Sequence, residues 1–143
     1  LLAESGTLPI GSSLKNHKHK VPKSVLLVDD SEEFRLLYET ILRSMGVFQI
    51  KEAPDGIVGY REFAMGNYDL VIMSYQLPRR SGLDVLRDMK GTKRTCKVII
   101  LTAENDKGTV MNCINARADY FIQKDLSVKE LKGKLQEVFD MIL

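Results

Sequence analysis

The chain has 143 residues, 44% of them hydrophobic and 28% charged, with a net charge of +2; this suits one soluble domain with a single core. No apolar run approaches the ~20 residues needed to cross a bilayer and no secretory signal pattern opens the chain, so the expectation is a cytoplasmic protein without membrane contact. Lys15, Lys18, Lys20 and Lys23 against Glu4 give the first 24 residues +3 and leave −1 on the rest, which speaks against nucleic-acid binding by the domain.

Residues 1–23, rich in Gly, Ser, Lys and His with Pro9 and Pro22, read as a flexible tail or linker. His17 and His19 within it lack the further ligands a metal pair needs. From Ser24 onward strands and helices alternate. Val25–Val28 forms a buried strand, and Ser31 caps a helix whose apolar face is Phe34, Leu37, Tyr38, Ile41, Leu42 and Met45, at amphipathic spacing. Gly46 stops it. A short strand over 47–51 precedes a weaker helix over 56–65 carrying Ile57, Tyr60, Phe63 and Ala64, which Gly66 and Asn67 break.

Leu70–Met73 is the third strand, followed by a helix bearing Leu83, Leu86 and Met89. Val98–Leu101 is the fourth strand, and Asp106 or Thr109 opens a helix with Val110, Cys113 and Ile114 turned inward. Tyr120–Ile122 is the fifth strand; the last helix runs from Ser127 with Leu131, Leu135, Val138, Phe139 and Ile142 on one face. Five parallel strands joined by five helical crossovers make a doubly wound α/β sandwich. Cys96 and Cys113 are far apart and form no CxxC motif, so two reduced thiols are expected. The basic run Arg87, Lys90, Lys93, Arg94 and Lys97 reads as a solvated helix end.

Four strand tips carry polar groups: Asp29 and Asp30, Ser74, Thr102 and Lys124. In an open parallel sheet, sites form beyond the carboxyl ends of the strands, so these groups can converge. Two carboxylates for Mg2+, with a hydroxyl and a Lys for phosphate oxygens, suit a phosphoryl-transfer pocket. Taken alone, Asp29 and Asp30 are equally an acidic helix N-terminus; together with Thr102 and Lys124 they favour a site. Ser74 lacks the glycines of a nucleophile elbow and no His lies in the domain, so Ser-hydrolase chemistry is excluded. No G-x-G-x-x-G or Walker loop is present, which counts against nucleotide binding.

The stretches Val25-Leu-Leu-Val-Asp-Asp-Ser31, Tyr68-Asp-Leu-Val-Ile-Met73, Leu77-Pro-Arg-Arg-Ser-Gly-Leu83, Val98-Ile-Ile-Leu-Thr-Ala103 and Ala118-Asp-Tyr-Phe-Ile-Gln-Lys124 are five ordered motifs. They resemble the receiver domain of bacterial two-component response regulators over 24–143. That resemblance implies the flavodoxin-like fold, a histidine kinase or other signalling protein as partner, and a third-strand Asp that accepts a phosphoryl group. By position it makes Asp30 the direct Mg2+ ligand, Asp29 its partner acting largely through water, and Gln76 the source of a backbone carbonyl. Thr102 is then the phosphate-contact hydroxyl, Lys124 the phosphate-neutralising cation and Phe121 the switch aromatic.

Three positions depart from the family pattern. Ser74 stands where the acceptor Asp is expected; a hydroxyl is a poor acceptor without a base, and its presence removes one anionic ligand. Arg117 stands where a Gly is usual, at a cost of ~1 kcal/mol if the residue is left-handed. Asp125 follows Lys124 in place of a Pro that is commonly cis; a cis bond before Asp costs ~3 kcal/mol, so a trans bond is expected, and Asp125 is placed to hold Lys124. The reading is an atypical receiver, not an enzyme, unphosphorylated at Ser74, with Mg2+ weak or absent. It acts by protein–protein contact, with a homodimer through the face of the fourth and fifth helices as one arrangement. The alternative is a conventional Mg2+-dependent phosphoacceptor in which Ser74 replaces the acceptor Asp.

Overall fold

A computed structural model describes residues 19–92, 95–103 and 106–143. Five strands, β1 (Ser24–Val28), β2 (Gln49–Ala53), β3 (Leu70–Ser74), β4 (Lys97–Thr102) and β5 (Tyr120–Gln123), alternate with five helices. These are α1 (Glu32–Ser44), α2 (Gly56–Met65), α3 (Gly82–Lys90), α4 (Lys107–Asn115) and α5 (Val128–Ile142). All strand pairs are parallel, in the order β2-β1-β3-β4-β5. The chain steps to one side of β1 and then returns to the other, so the crevice at the carboxyl ends opens between β1 and β3.

The apolar strands bury both of their faces. Val25, Leu27, Ile72, Ile99 and Leu101 pack with Tyr38, Ile41 and Leu42 of α1 and with Leu131, Leu135, Val138 and Phe139 of α5. Leu26, Val28, Met73 and Ile100 pack on the other face with Phe63, Val85, Leu86, Met89 and Cys113 of α2, α3 and α4. A parallel sheet with helices on both faces needs such near-continuous apolar strands, and here β3 is buried along its whole length.

Each helix starts on a side-chain cap. Ser31, Asp55, Ser81, Asp106 and Ser127 accept from backbone N–H groups of the first turn, and Ser127 with Glu130 completes a capping box. Gly46 closes α1 at φ +99°, the left-handed geometry expected of a helix-ending glycine. Gly82 has a different reason to be glycine: a Cβ there would lie 2.1 Å from the Ser74 carbonyl oxygen. The start of α3 is thereby packed directly against the tip of β3.

Several details differ from the sequence reading. The second strand is Gln49–Ala53 rather than 47–51, because Val47 is buried ahead of the ladder and Gln49 pairs with Ser24. In α4 the inward face is Thr109, Cys113 and Ala116, whereas Ile114 is 58% exposed. The Asp106 cap fixes the helix phase so that 109, 113 and 116 share the buried stripe. Ile57 likewise faces out, and the glycines Gly56 and Gly59 with Phe63 make the buried face of α2. Lys90 is no free cation at a helix end: its ammonium is 2.5 Å from Asp119, which also accepts from Val98 N–H at 2.7 Å. Lys93 and Arg94 lie outside the described residues, as do His17 and Lys18.

Residues 19–23, assigned from sequence to the tail, run along the last turns of α5. Lys20 N–H donates to Asp140 at 3.1 Å and the Lys20 carbonyl accepts from Gln136 at 3.0 Å. His19 Nδ1 also lies 3.1 Å from Asp140, Pro22 is buried, and Lys23 N–H donates to Asp69 at 2.8 Å. No described helix is long and apolar enough to cross a membrane.

Candidate functional site

The carboxyl ends of β1, β3, β4 and β5 bring Asp29, Ser74, Thr102 and Lys124 toward one crevice. Asp29 follows β1 and stays in the sheet by donating its N–H to the Ala53 carbonyl. The residue is buried at 3% exposure, whereas Asp30 turns outward and is exposed. Asp29 Oδ1 accepts from Ser31 N–H at 2.9 Å. Arg35 clamps the same segment: its guanidinium donates to the Asp29 carbonyl at 2.5 Å and to Glu52 at 2.9 Å.

Ser74 closes β3 at 1% exposure. Its hydroxyl donates to the Gln76 carbonyl at 3.1 Å and accepts from the Lys124 ammonium at 3.0 Å. That ammonium also lies 2.9 Å from Asp29 Oδ2. The approach is off the direction of a hydrogen bond, so this buried oxygen has a charge partner but no directed donor. Coulomb attraction depends on separation rather than angle, and the contact is an ion pair. The ammonium completes its surroundings with the Phe34 ring, whose centroid is 4.7 Å away, within cation–π range. Asp29 also acts on α1, where burial first and the carboxylate second push the Tyr38 phenol well above its usual value.

Thr102 is buried at the end of β4, and its carbonyl accepts from Lys124 N–H at 2.9 Å. Phe121 is half-buried and lines an apolar groove of about 510 Å3 between α4, β5 and α5, together with Cys113, Ile114, Tyr120, Ile122 and Leu126. Burial raises the Cys113 thiol above its ordinary value, which leaves it little reactive thiolate. No peptide bond is cis among the described residues, so the bond before Asp125 is trans as expected. Lys124 turns to Asp29 rather than to the neighbouring Asp125. Arg117 has φ +68°, so the chain keeps a left-handed residue at this turn without a glycine, and its guanidinium donates to the Lys90 carbonyl at 2.5 Å.

Two features of the crevice escaped the sequence. The loop after β3 carries a second left-handed non-glycine residue, Arg79 at φ +68°. Its guanidinium is 3.2 Å from Asp55, whose carboxyl is held below the usual range chiefly by Val58 N–H and further by the Arg79 charge. The start of α2 is pressed against the same loop, since a Cβ on Gly56 would meet the Arg80 carbonyl oxygen at 2.1 Å. Asp55 and Gly56 therefore fix the loop that presents Gln76.

Residues 25–136 match the family model described as the response regulator receiver domain. The chain belongs to that family. A probable chemotaxis protein CheY of Rhizobium etli is 31% identical over 117 residues, spanning 80% of this chain and 91% of that protein. The chemotaxis protein CheY of Pseudomonas aeruginosa is 26% identical over 120 residues, spanning 82% and 97%. Among solved structures, a CheY-like receiver domain protein from Methanospirillum hungatei superposes with a TM-score of 0.75 at 23% identity, covering 85% of this chain and 96% of that one. The chain is thus a CheY-like receiver of two-component signalling, with the flavodoxin-like fold.

Receiver domains are signalling modules that engage histidine kinases and other signalling proteins, and they generally bind Mg2+ at the phosphorylation site. Here Asp29 and the Gln76 carbonyl, two of the oxygen donors suited to such an ion, are already engaged. Asp29 faces Ser31 N–H and the Lys124 ammonium, and the Gln76 carbonyl accepts the Ser74 hydroxyl. Asp30 remains open to solvent. As arranged, this donor set does not fit a divalent cation, because an ammonium occupies its charged centre.

Proposed function

We propose that this receiver, spanning 24–143 with 1–23 as an appended segment, signals by protein–protein contact without phosphorylation at the usual position. The observation that carries the reading is Ser74: a buried hydroxyl donating to one neighbour and accepting from Lys124 stands at the tip of β3. Phosphoryl transfer to an acyl phosphate requires a carboxylate nucleophile. A hydroxyl needs a base to remove its proton, and the Lys124 ammonium 3.0 Å from Ser74 donates to it instead. Lys124, paired with Asp29, is therefore no base for a Ser–Lys dyad.

The partner is a histidine kinase or another signalling protein, and the domain itself contacts neither nucleic acid nor membrane. The groove between α4, β5 and α5 supports the docking role, since it is apolar and includes the exposed Ile114. A second copy of the chain would seat there equally in a homodimer. Phe121 and Thr102, proposed as switch residues, rest in one arrangement because no covalent event supplies the energy to shift them. The test is NMR of α4 and α5 with and without beryllofluoride and Mg2+, a phosphate mimic that needs an acceptor carboxylate. Unchanged spectra are expected; large saturable shifts at Thr102, Phe121 and α4 would overturn the reading.

One observation favours the alternative of a phosphorylatable pocket: Asp29, Thr102 and Lys124 survive around Ser74 in one crevice. On that account the chain is a conventional Mg2+-dependent phosphoacceptor receiver in which Ser74 is a substitution of the acceptor Asp.

A further inference from the structure

The crevice holds a cation of its own. The Lys124 ammonium is fixed from three directions, by the Asp29 carboxylate at 2.9 Å, the Ser74 hydroxyl at 3.0 Å and the face of Phe34 at 4.7 Å. Its side chain is only 15% exposed and that of Asp29 only 5%, so water screens the pair weakly. We infer that Lys124 is the resident cation of this pocket, that Phe34 is the positioning residue that keeps it there, and that together they exclude Mg2+. The inference deepens the reading proposed above and shares its premise that position 74 carries no negative charge.

The charge balance explains the exclusion. With a hydroxyl at 74, the carboxylates that follow β1 are Asp29 and Asp30, and Lys124 pairs with Asp29. A divalent ion entering beside Asp29 meets a fixed unit positive charge within a few ångströms in a poorly hydrated site. It must also reach near-octahedral coordination at short distances while giving up tightly held water. Asp29 Oδ1 already accepts from Ser31 N–H and the Gln76 carbonyl from Ser74, which leaves solvent-exposed Asp30 to offer a single carboxylate to an incoming ion. Asp29 Oδ2, buried and without a directed donor, is the oxygen that Lys124 guards.

Phe34 is set for its part by local structure. Its own N–H donates to the Ser31 cap at 3.2 Å, and its ring packs at 6.5 Å from Tyr38. The next residue, Arg35, binds the Asp29 carbonyl. The first turn of α1 thus locates both the carboxylate and the aromatic face between which the ammonium lies.

Thermal unfolding and 1H–15N spectra of the full chain during MgCl2 titration, with ionic strength matched by NaCl, test the inference. The wild type should show no saturable response at millimolar Mg2+. Lys124→Met should bind Mg2+ roughly tenfold more tightly or better, with saturable stabilisation and shifts at the Asp29, Ser31 and Gln76 amides. Adding Asp29→Asn to that variant should abolish the gain. Phe34→Leu retains the ion pair while loosening it, and should give a smaller, still saturable gain; it decides the matter if Lys124→Met does not fold. Submillimolar saturable binding by the wild type, or a folded Lys124→Met or Phe34→Leu no more responsive than wild type, overturns the inference. Either outcome leaves the reading of Ser74 standing, because failure of that reading would appear as phosphoryl uptake by the wild type.

Discussion

Breaking the Asp29–Lys124 pair one partner at a time should reveal strong coupling. At 2.9 Å and an effective dielectric near 20, the gross attraction is about 6 kcal/mol, but desolvation of two nearly buried ions cancels the larger part. Lys124→Met leaves the Asp29 carboxylate buried beside Asp30 with no counter-charge, and should cost about 3 kcal/mol. For a domain of this size that is a fall in Tm of roughly 10 °C. Asp29→Asn keeps an acceptor for Ser31 N–H and should cost about 1–2 kcal/mol. In the double variant no charge is stranded, so its loss should fall short of the sum of the single losses by about 2 kcal/mol. Urea unfolding of the four proteins at neutral pH, followed by circular dichroism, measures that coupling. It should persist in roughly 1 M salt, because the pair is largely shielded from solvent. A coupling below about 0.5 kcal/mol would refute the reasoning, since two groups that far from interacting cannot be a buried ion pair.

Three further outcomes follow from the geometry. Gly82→Ala places a Cβ 2.1 Å from the Ser74 carbonyl; it should cost about 1–3 kcal/mol and shift the Ser74 and Tyr75 amide resonances, whereas unperturbed spectra would contradict the packing. The Asp55 carboxyl is held below its ordinary value, chiefly by Val58 N–H and also by Arg79. Its contribution to stability is therefore complete above the unfolded-state value and is lost as pH falls through the lowered folded-state value; Asp55→Ala should flatten that acid limb and cost about 1–2 kcal/mol at neutral pH. Deleting residues 1–23 removes the contacts of His19 and Lys20 with Asp140 and Gln136 and of Lys23 with Asp69, so it should lower stability by about 1–2 kcal/mol and speed amide exchange in the last turn of α5. Unchanged exchange there would mean the contacts are not maintained in solution.

Strands and helices were legible because each buries an apolar stripe with the period of its own backbone, and because Ser31, Asp106 and Ser127 mark helix starts chemically. The convergence of strand tips was legible for the same reason, since a parallel sheet leaves only one crevice for them. What the pattern could not convey is which side chain meets which. Phe34 falls on the apolar face of α1 by spacing alone, so its contact with the Lys124 ammonium carries no distinct sequence signal. Asp29 and Asp30 are the same residue type, and only the backbone turn after β1 makes one buried and the other exposed. Arg79 is left-handed without glycine or asparagine to announce it, and residues 19–23 look like linker because their docking uses backbone groups and polar side chains rather than an apolar stripe. Ile114 was misplaced because Val110, Cys113 and Ile114 fit a helical stripe as well as the observed Thr109, Cys113 and Ala116 do.

The central claim is that Ser74 leaves this receiver without a phosphoacceptor, and intact-mass spectrometry after incubation with acetyl phosphate and Mg2+ tests it most directly. The wild-type mass should be unchanged, while Ser74→Asp should gain one phosphoryl group that hydroxylamine removes. A prompt, hydroxylamine-labile phosphoryl group on the wild-type chain would contradict the account, because that lability marks an acyl phosphate on a carboxylate elsewhere in the pocket.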